Sequence, residues 1–395
     1  MKILFLDQSG KVGGAELSLL DIARPYRDHC LVCLFAEGPF RTLLEQAQIP
    51  TCVLATPIAV QKDSSVVKGL SSIGHLMPLV IKVAQLSREF DLIYANTPKA
   101  LVVGAIASAL SQRPLVYHLH DIVSQEHFSA INQRLIISLA NTFAVAVIAN
   151  SQATKAAFQQ AGGRSPTEVV YNGFDIAAYQ QVRHDRSTLR QQLGLESRFI
   201  VGHFSRLSPW KGQHILIEAL KHCSENVTAL FVGDALFGEQ KYVEQLHQQI
   251  EQEGLQHRVR FLGFRSDVPQ LMAACDVVAH TSTAPEPFGR VIVETMLGGI
   301  PVIAAAAGGA IELVEPGKTG WLTPPGDPVK LATCINHCQK YPHHSQEIAR
   351  NAQADAIQRF DLAATNEQIA QCLQQVSQTS RVTFSNVLRW FPACW

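Results

Sequence analysis

The sequence predicts an α/β protein of two doubly wound domains, each a parallel sheet covered by helices on both faces. Three observations predict it. Short runs rich in Val and Ile are apolar on both faces, the pattern of strands buried inside a parallel sheet. These runs alternate with segments of helical periodicity. The alternation breaks once, between Phe174 and Ser197, in a charged, Gln-rich stretch. Two βαβ series joined by a connector imply two such domains facing across a cleft, with ligands bound beyond the carboxyl ends of the strands.

In the first half KILFLD, CLVCLF, TCVLA, DLIYAN, PLVYHLHD, AVAVIAN and EVVYNG read as strands. AELSLLDIA, LLEQAQ, ALVVGAIASAL and SQATKAAFQQAGG read as helices, the last capped by Ser151 and stopped by Gly162 and Gly163. In the second half FIVGHFS, VTALFVGD, RVRFLGF, DVVAHTS, PVIAAA and TGWLTP read as strands. The expected bounds are 1–175 for the first domain, 176–197 for the connector and 198–360 for the second domain. Residues 361–395 are expected to be a C-terminal helix and apolar tail packing back on the first domain. Trp390, Phe391 and Trp395 in that tail read as docking on the protein's own surface, with a membrane or partner contact as the alternative.

Length and composition agree with this. A chain of 395 residues, 47% apolar and 17% charged, is long and apolar enough for two well-buried cores. Lys plus Arg equals Asp plus Glu at 33 each, and the balance holds in each half, so a nucleic-acid partner is not expected. The nine cysteines are odd in number and scattered, which suits a reducing compartment. Cys30 and Cys33 have metal-ligand spacing, but no second pair completes a tetrahedral site. Cys334 and Cys338, one helical turn apart, read as packing residues. MKILFLD has four apolar residues in a row before Asp7, too short for a signal-peptide core, so a cytoplasmic protein is expected. The stretch Lys62 to Arg88 alternates five basic residues, counting His75, with apolar ones. It reads as a core-facing helix interrupted at Pro78, with peripheral contact at the inner face of a membrane as the alternative.

The most informative segment is HTSTAPEPFGRVIVETMLGGIPVIAAAAGGAIELV. A strand ends at Ser282, a loop carries Glu286, and a helix starts near Phe288 or Gly289 with Glu294 inside it. A helix N-terminus at a strand end directs unpaired N–H groups at an anion, and Gly289 lets a ligand approach its backbone. Two carboxylates beside such a site suit hydroxyl-rich groups, since each accepts hydrogen bonds from sugar hydroxyls.

This segment resembles the Glu-x7-Glu signature of glycosyltransferase family 4, whose members have the GT-B fold of two Rossmann-like domains and retain anomeric configuration. The likeness continues through GGIPVIA, GGAIELV and GKTGWLTP and covers roughly residues 1–360, with the acceptor-side first domain less specific. HFSRLSPWKGQ, with Arg206 and Lys211, resembles the Arg-x4-Lys-Gly element whose cations hold the donor diphosphate. Cations fixed there stabilise a departing nucleoside diphosphate more in the transition state than in the ground state. No Asp-x-Asp occurs to hold a divalent ion, so no metal and no cofactor are expected.

DQSGKVGGAELSLLDIA resembles the Gly-Gly-Ala-Glu loop, where amides around Gly13 and Gly14 reach the donor phosphate from the opposite domain. It has neither G-x-G-x-x-G spacing nor the Gly-Lys-Ser/Thr of a Walker loop. In PLVYHLHDI, His118 and His120 share a strand face. His120 matches a cleft histidine beside the transferred sugar, and His118 is expected to be buried. The resemblance puts Glu294 on the ribose, Glu286 with the Phe288 and Gly289 amides on the sugar, Ser282 near the phosphate, and the turn Gly263, Phe264, Arg265 beside the nucleobase. Asn172 and Gly173 of VYNGFD fall at the domain junction.

The expected function is therefore metal-independent, retaining transfer of a sugar from a nucleoside diphosphate donor to a saccharide or glycolipid hydroxyl. A sugar-nucleotide epimerase or hydrolase on the same fold, and a non-catalytic binding subunit, are the alternatives. Donor sugar, nucleobase, acceptor and oligomeric state are not legible.

Overall fold

The computed structural model describes residues 1–54, 66–180, 186–236 and 238–379. They form two units: Met1–Gly173 with the chain from Ala363 onward, and Phe174–Leu362.

The first unit holds seven strands: β1 (Ile3–Asp7), β2 (Cys30–Leu34), β3 (Thr51–Val53), β4 (Leu92–Ala95), β5 (Leu115–Leu119), β6 (Ala144–Ala149) and β7 (Thr167–Val169). They pair in parallel in the order β3-β2-β1-β4-β5-β6-β7. Alternation along each strand fills a core on either face. Leu4, Leu6, Ile93, Leu115, Tyr117 and Leu119 pack with Leu79, Val80, Leu101 and Ile136 of the helices on one side. Ile3, Phe5, Val32, Leu92, Tyr94 and Val116 pack with Leu19, Phe40 and Leu44 on the other. That second face is closed by the last described helix, Leu362–Thr379, through Ile369, Leu373 and Val376.

The second unit holds β8 (Phe199–Phe204), β9 (Val227–Val232), β10 (Val259–Phe261), β11 (Val277–His280), β12 (Val302–Ala305) and β13 (Trp321–Thr323). They are parallel in the order β10-β9-β8-β11-β12-β13. Each sheet reverses its winding once, between β1 and β4 and between β8 and β11. Loops leaving the carboxyl ends at such a reversal diverge and open a crevice for ligand. Most of the residues singled out in sequence follow β1, β5, β8 or β11; the Gly263 turn follows β10, and Asn172 and Gly173 follow β7.

Some sequence expectations are corrected. The helix Val66–Ser87 runs unbroken through Pro78, burying Leu79, Val80, Val83 and Ala84 while Met77 and Ile81 stay exposed; Lys62 lies outside the described residues. The described part of the stretch 176–197, read as a connector, is largely helical. Its helix Arg186–Gln192 lies in the second unit, where Arg186 and Arg190 both bond the Asp276 carboxylate. Ser151 does cap the helix Gln152–Gln160, accepting from the Thr154 amide. No helix among the described residues is long and apolar enough to cross a membrane. Trp390, Phe391 and Trp395 lie outside the described residues.

Candidate active site

In the second unit, Arg206 and Lys211 follow β8, and Ser282 and Glu286 follow β11. The loop after β8 turns through Pro209–Lys211 and brings Lys211 back over the end of β11. There the Lys211 ammonium meets both oxygens of Glu286, at 2.9 and 2.7 Å. Ser282 donates to the same carboxylate at 2.9 Å, and His280 Nε2 lies 3.1 Å from it. Burial pushes the Glu286 carboxyl up, but Lys211 and His280 outweigh it and hold it well below the usual carboxylate range. Burial pulls the Lys211 ammonium down, and Glu286 opposes that pull. Trp210 underlies both cations, its ring 4.0 Å from Lys211 Nζ and 5.7 Å from Arg206 Cζ.

The Glu286 loop is braced by the Gly-Gly pair further along the chain. Gly309 N–H donates to the Glu286 carbonyl at 2.7 Å. Gly308 sits at φ +63°, where a Cβ would come within 2.2 Å of that carbonyl oxygen. Gly289 opens the helix Arg290–Leu297 at φ +102°, a conformation that favours glycine. Phe288 is buried between Phe174 and Phe360, with ring centroids at 6.4 and 5.9 Å. Glu294 pairs with Arg290 at 3.6 Å, and the Arg290 guanidinium lies 4.5 Å from the Phe174 ring centroid. At the turn after β10, Gly263 has φ +66°, Phe264 is 67% exposed, and Arg265 makes a bidentate pair with Asp267 at 2.7 and 2.6 Å.

In the first unit, Gly13 caps and Gly14 opens the helix that follows β1, Gly14–Ala23. A Cβ on Gly13 would stand 2.7 Å from a Glu16 carboxylate oxygen, so this glycine makes room for a buried acid. Burial, then Asp7, pushes the Glu16 carboxyl up to about 8. His120 follows β5 and bonds Asn96 Oδ1 at 2.9 Å. His118 is buried as expected, and burial holds its imidazole well below the ordinary range. Among the described residues no three His, Cys, Asp or Glu are grouped to hold a metal ion.

Residues 185–355 match the family model of the glycosyl transferases group 1, and residues 12–178 match that of glycosyltransferase family 4. The crystal structure of HepE from Anabaena, in complex with UDP and glucose, is 63% identical, with a TM-score of 0.90 over 95% of this chain and 100% of that one. The chain belongs to glycosyltransferase family 4. Its two parallel-sheet units are those of the GT-B fold, shared with sucrose-phosphate synthase from Thermosynechococcus elongatus at 20% identity and a TM-score of 0.79, over 96% and 100% of the two chains. Spore coat protein SA of Bacillus subtilis is 31% identical over 211 residues, 50% of this chain and 55% of that protein. The chain thus spans about half of that relative's length.

Sequence reasoning set Lys211 and Glu286 apart, one for phosphate and one for sugar; in this glycosyltransferase they form one ion pair. The Ser282 hydroxyl, expected near phosphate, is buried and donates to Glu286. His280, His203, Thr281 and Trp210 were missed. His203 Nε2 lies 2.9 Å from the Thr281 hydroxyl, and burial brings its imidazole down to about 3. The available signal was a two-residue period, since His280 and Ser282 share a face where their strand ends.

Proposed function

We propose that this glycosyltransferase takes a glucosyl group from UDP-glucose and passes it to a hydroxyl of a saccharide or glycolipid, with retention and without a metal ion. The observation that carries this is the Lys211–Glu286 pair beside Arg206 at the β8/β11 reversal. Support also comes from HepE, 62% identical and crystallised in complex with UDP-glucose.

On this reading Arg206 and Lys211 neutralise the diphosphate as it leaves, the work a divalent ion does elsewhere. Glu286, ionised and fixed by Lys211, Ser282 and His280, accepts hydrogen bonds from the sugar hydroxyls. The Phe288 and Gly289 amides add donors, Glu294 takes the ribose, and the Gly263–Arg265 turn takes the base. The first unit is the acceptor side, and the Gly13 and Gly14 amides and His120 are the groups this reading assigns to it. The acceptor oxygen bonds to the anomeric carbon on the face that UDP leaves, and its proton passes to the departing phosphate oxygen.

The test measures UDP release from UDP-glucose with and without candidate saccharide and glycolipid acceptors, in the presence of a chelator. Release should accelerate with acceptor and ignore the chelator, and Arg206→Ala or Lys211→Ala should each lower turnover about 10²–10³-fold. Release indifferent to every acceptor would identify a hydrolase, isomerised donor an epimerase, and binding without turnover a carrier subunit. Chelator sensitivity would end the metal-free reading.

A further inference from the structure

The strand β2 carries two cysteines three residues apart, Cys30 and Cys33, and an odd spacing on a strand puts their side chains on opposite faces. Cys30 is buried in the core with Ile3 and Phe5, and Cys33 in the core with Leu4 and Leu6. The partner of Cys33 comes from the next strand. In the parallel β2–β3 pair Cys33 stands directly opposite Cys52, so both thiols project from one face. Their sulfurs lie 2.8 Å apart, closer than two unbonded sulfur atoms normally approach. Neighbouring strands run about 4.8 Å apart, inside the roughly 4.4–6.8 Å Cα separation that a disulfide spans. Closing the sulfurs to about 2.05 Å asks for a shift of less than an ångström. Access to the two thiols differs. Cys33 is fully buried, whereas Cys52 is half-buried on β3, the outermost strand of its sheet.

We propose that Cys33 and Cys52 form a reversible redox site, which a low-molecular-weight disulfide such as oxidised glutathione closes and a small thiol reopens, tying the edge strand β3 to β2. Cys52, the accessible thiol, reacts first. It gives up its proton, and its thiolate attacks one sulfur of glutathione disulfide. A Cys52–glutathione bond forms, the S–S bond of the reagent breaks, and the departing glutathione thiolate takes a proton. Cys33 then attacks the Cys52 sulfur, and its proton passes to the second glutathione as it leaves. Two protein thiols are thus oxidised to one disulfide while one glutathione disulfide is reduced to two thiols. The hydrogen bond with Cys33 draws the Cys52 thiol below its ordinary range against the pull of burial, and the same contact, with burial, holds the proton on Cys33. An edge strand is held by a neighbour on one side only, and here the β2–β3 ladder is three residues long. A covalent tie at its middle residue removes the local opening of β3.

The reduced full-length chain, incubated with glutathione disulfide at about pH 8.5, near the ordinary thiol range, tests this. After acid quenching, alkylation of the remaining thiols in denaturant and digestion, mass spectrometry should show the Cys33 and Cys52 peptides linked in most chains. Dithiothreitol should separate them again. Glutathione left on Cys52 beside an alkylated Cys33 overturns the proposal, and so do two alkylated thiols at a large excess of the reagent. Cys33→Ala, which keeps the buried position apolar, should stop at the Cys52–glutathione adduct. In Cys52→Ser the buried Cys33 should stay reduced; glutathione on Cys33 as fast as native protein loses its thiols would overturn the order of attack. Amide hydrogen exchange at Thr51–Val53 should slow by about tenfold or more in the oxidised protein, and equal exchange in the two forms would remove the tie to β3. Should a variant fail to fold, the linkage in native protein decides. Every readout is a sulfur bond or a backbone hydrogen, so the outcome is independent of which donor or acceptor the enzyme uses.

Discussion

Lys211 and Glu286 share two hydrogen bonds in a pocket where their side chains are 16% and 11% exposed. Each charge is buried at the expense of hydration that the other replaces. Glu286→Gln or Lys211→Met alone leaves an uncompensated buried charge and should destabilise the protein by roughly 3–5 kcal/mol. The double variant should recover much of that loss, which urea unfolding of all four proteins would measure. The native carboxyl titrates below its unfolded value of 4.5, so the unfolded chain takes up the proton first as pH falls. The deficit of Glu286→Gln should therefore be constant above about pH 5 and close as pH drops below 4.5.

Trp210 lies beside both cations expected on the diphosphate. Trp210→Leu keeps an apolar side chain but removes the ring, at about 0.5–1 kcal/mol for each cation. UDP affinity by calorimetry should fall about tenfold, and the free protein should lose on the order of 1–2 kcal/mol of stability; unchanged affinity would separate the indole from phosphate binding.

Glu16 titrates in the opposite sense to Glu286. Burial and the neighbouring Asp7 raise its carboxyl from 4.5 to about 8, so the folded protein keeps a proton that the unfolded chain releases. Stability should decline as pH climbs from 4.5 to 8 and level off above. Glu16→Gln lacks that slope. Its thermal unfolding should match native protein in acid and exceed it at alkaline pH by on the order of a few kcal/mol.

Gly308 and Gly317 share a left-handed backbone, at φ +63° and +75°, but differ in surroundings. A Cβ at Gly317 meets nothing within 4 Å, so Gly317→Ala should cost about 1–2 kcal/mol of backbone strain and leave activity alone. Gly308→Ala adds a clash with the Glu286 carbonyl, displaces that carboxylate, and should abolish turnover along with stability. Equal activity in the two variants would show that the brace is dispensable.

The fold was legible because buried parallel strands leave unbroken apolar runs, as in FIVGHFS and DLIYAN, and because ligand residues follow strand ends. The Glu286 loop was legible through Pro287, Phe288 and Gly289, whose order fits a turn opening a helix. What stayed hidden were pairings across sequence distance. Nothing local says that Lys211 folds back onto Glu286, 75 residues on, or that Asn96 joins Asp7 to His120. Pro78 misled because proline tolerance inside a helix depends on packing, and Leu79, Val80 and Val83 supply it. The helix Arg186–Gln192 was obscured because its two arginines read as solvated until Asp276 is brought beside them.

The first unit is interrupted: its chain stops at Gly173 and resumes at Ala363. Ile369, Leu373 and Val376, which cover Ile3, Phe5 and Tyr94, are thus translated after the whole second unit. On the ribosome the later-made sheet can finish first, while the earlier one waits with part of one face uncovered. A nascent chain truncated near residue 362 would therefore be the species most in need of a chaperone.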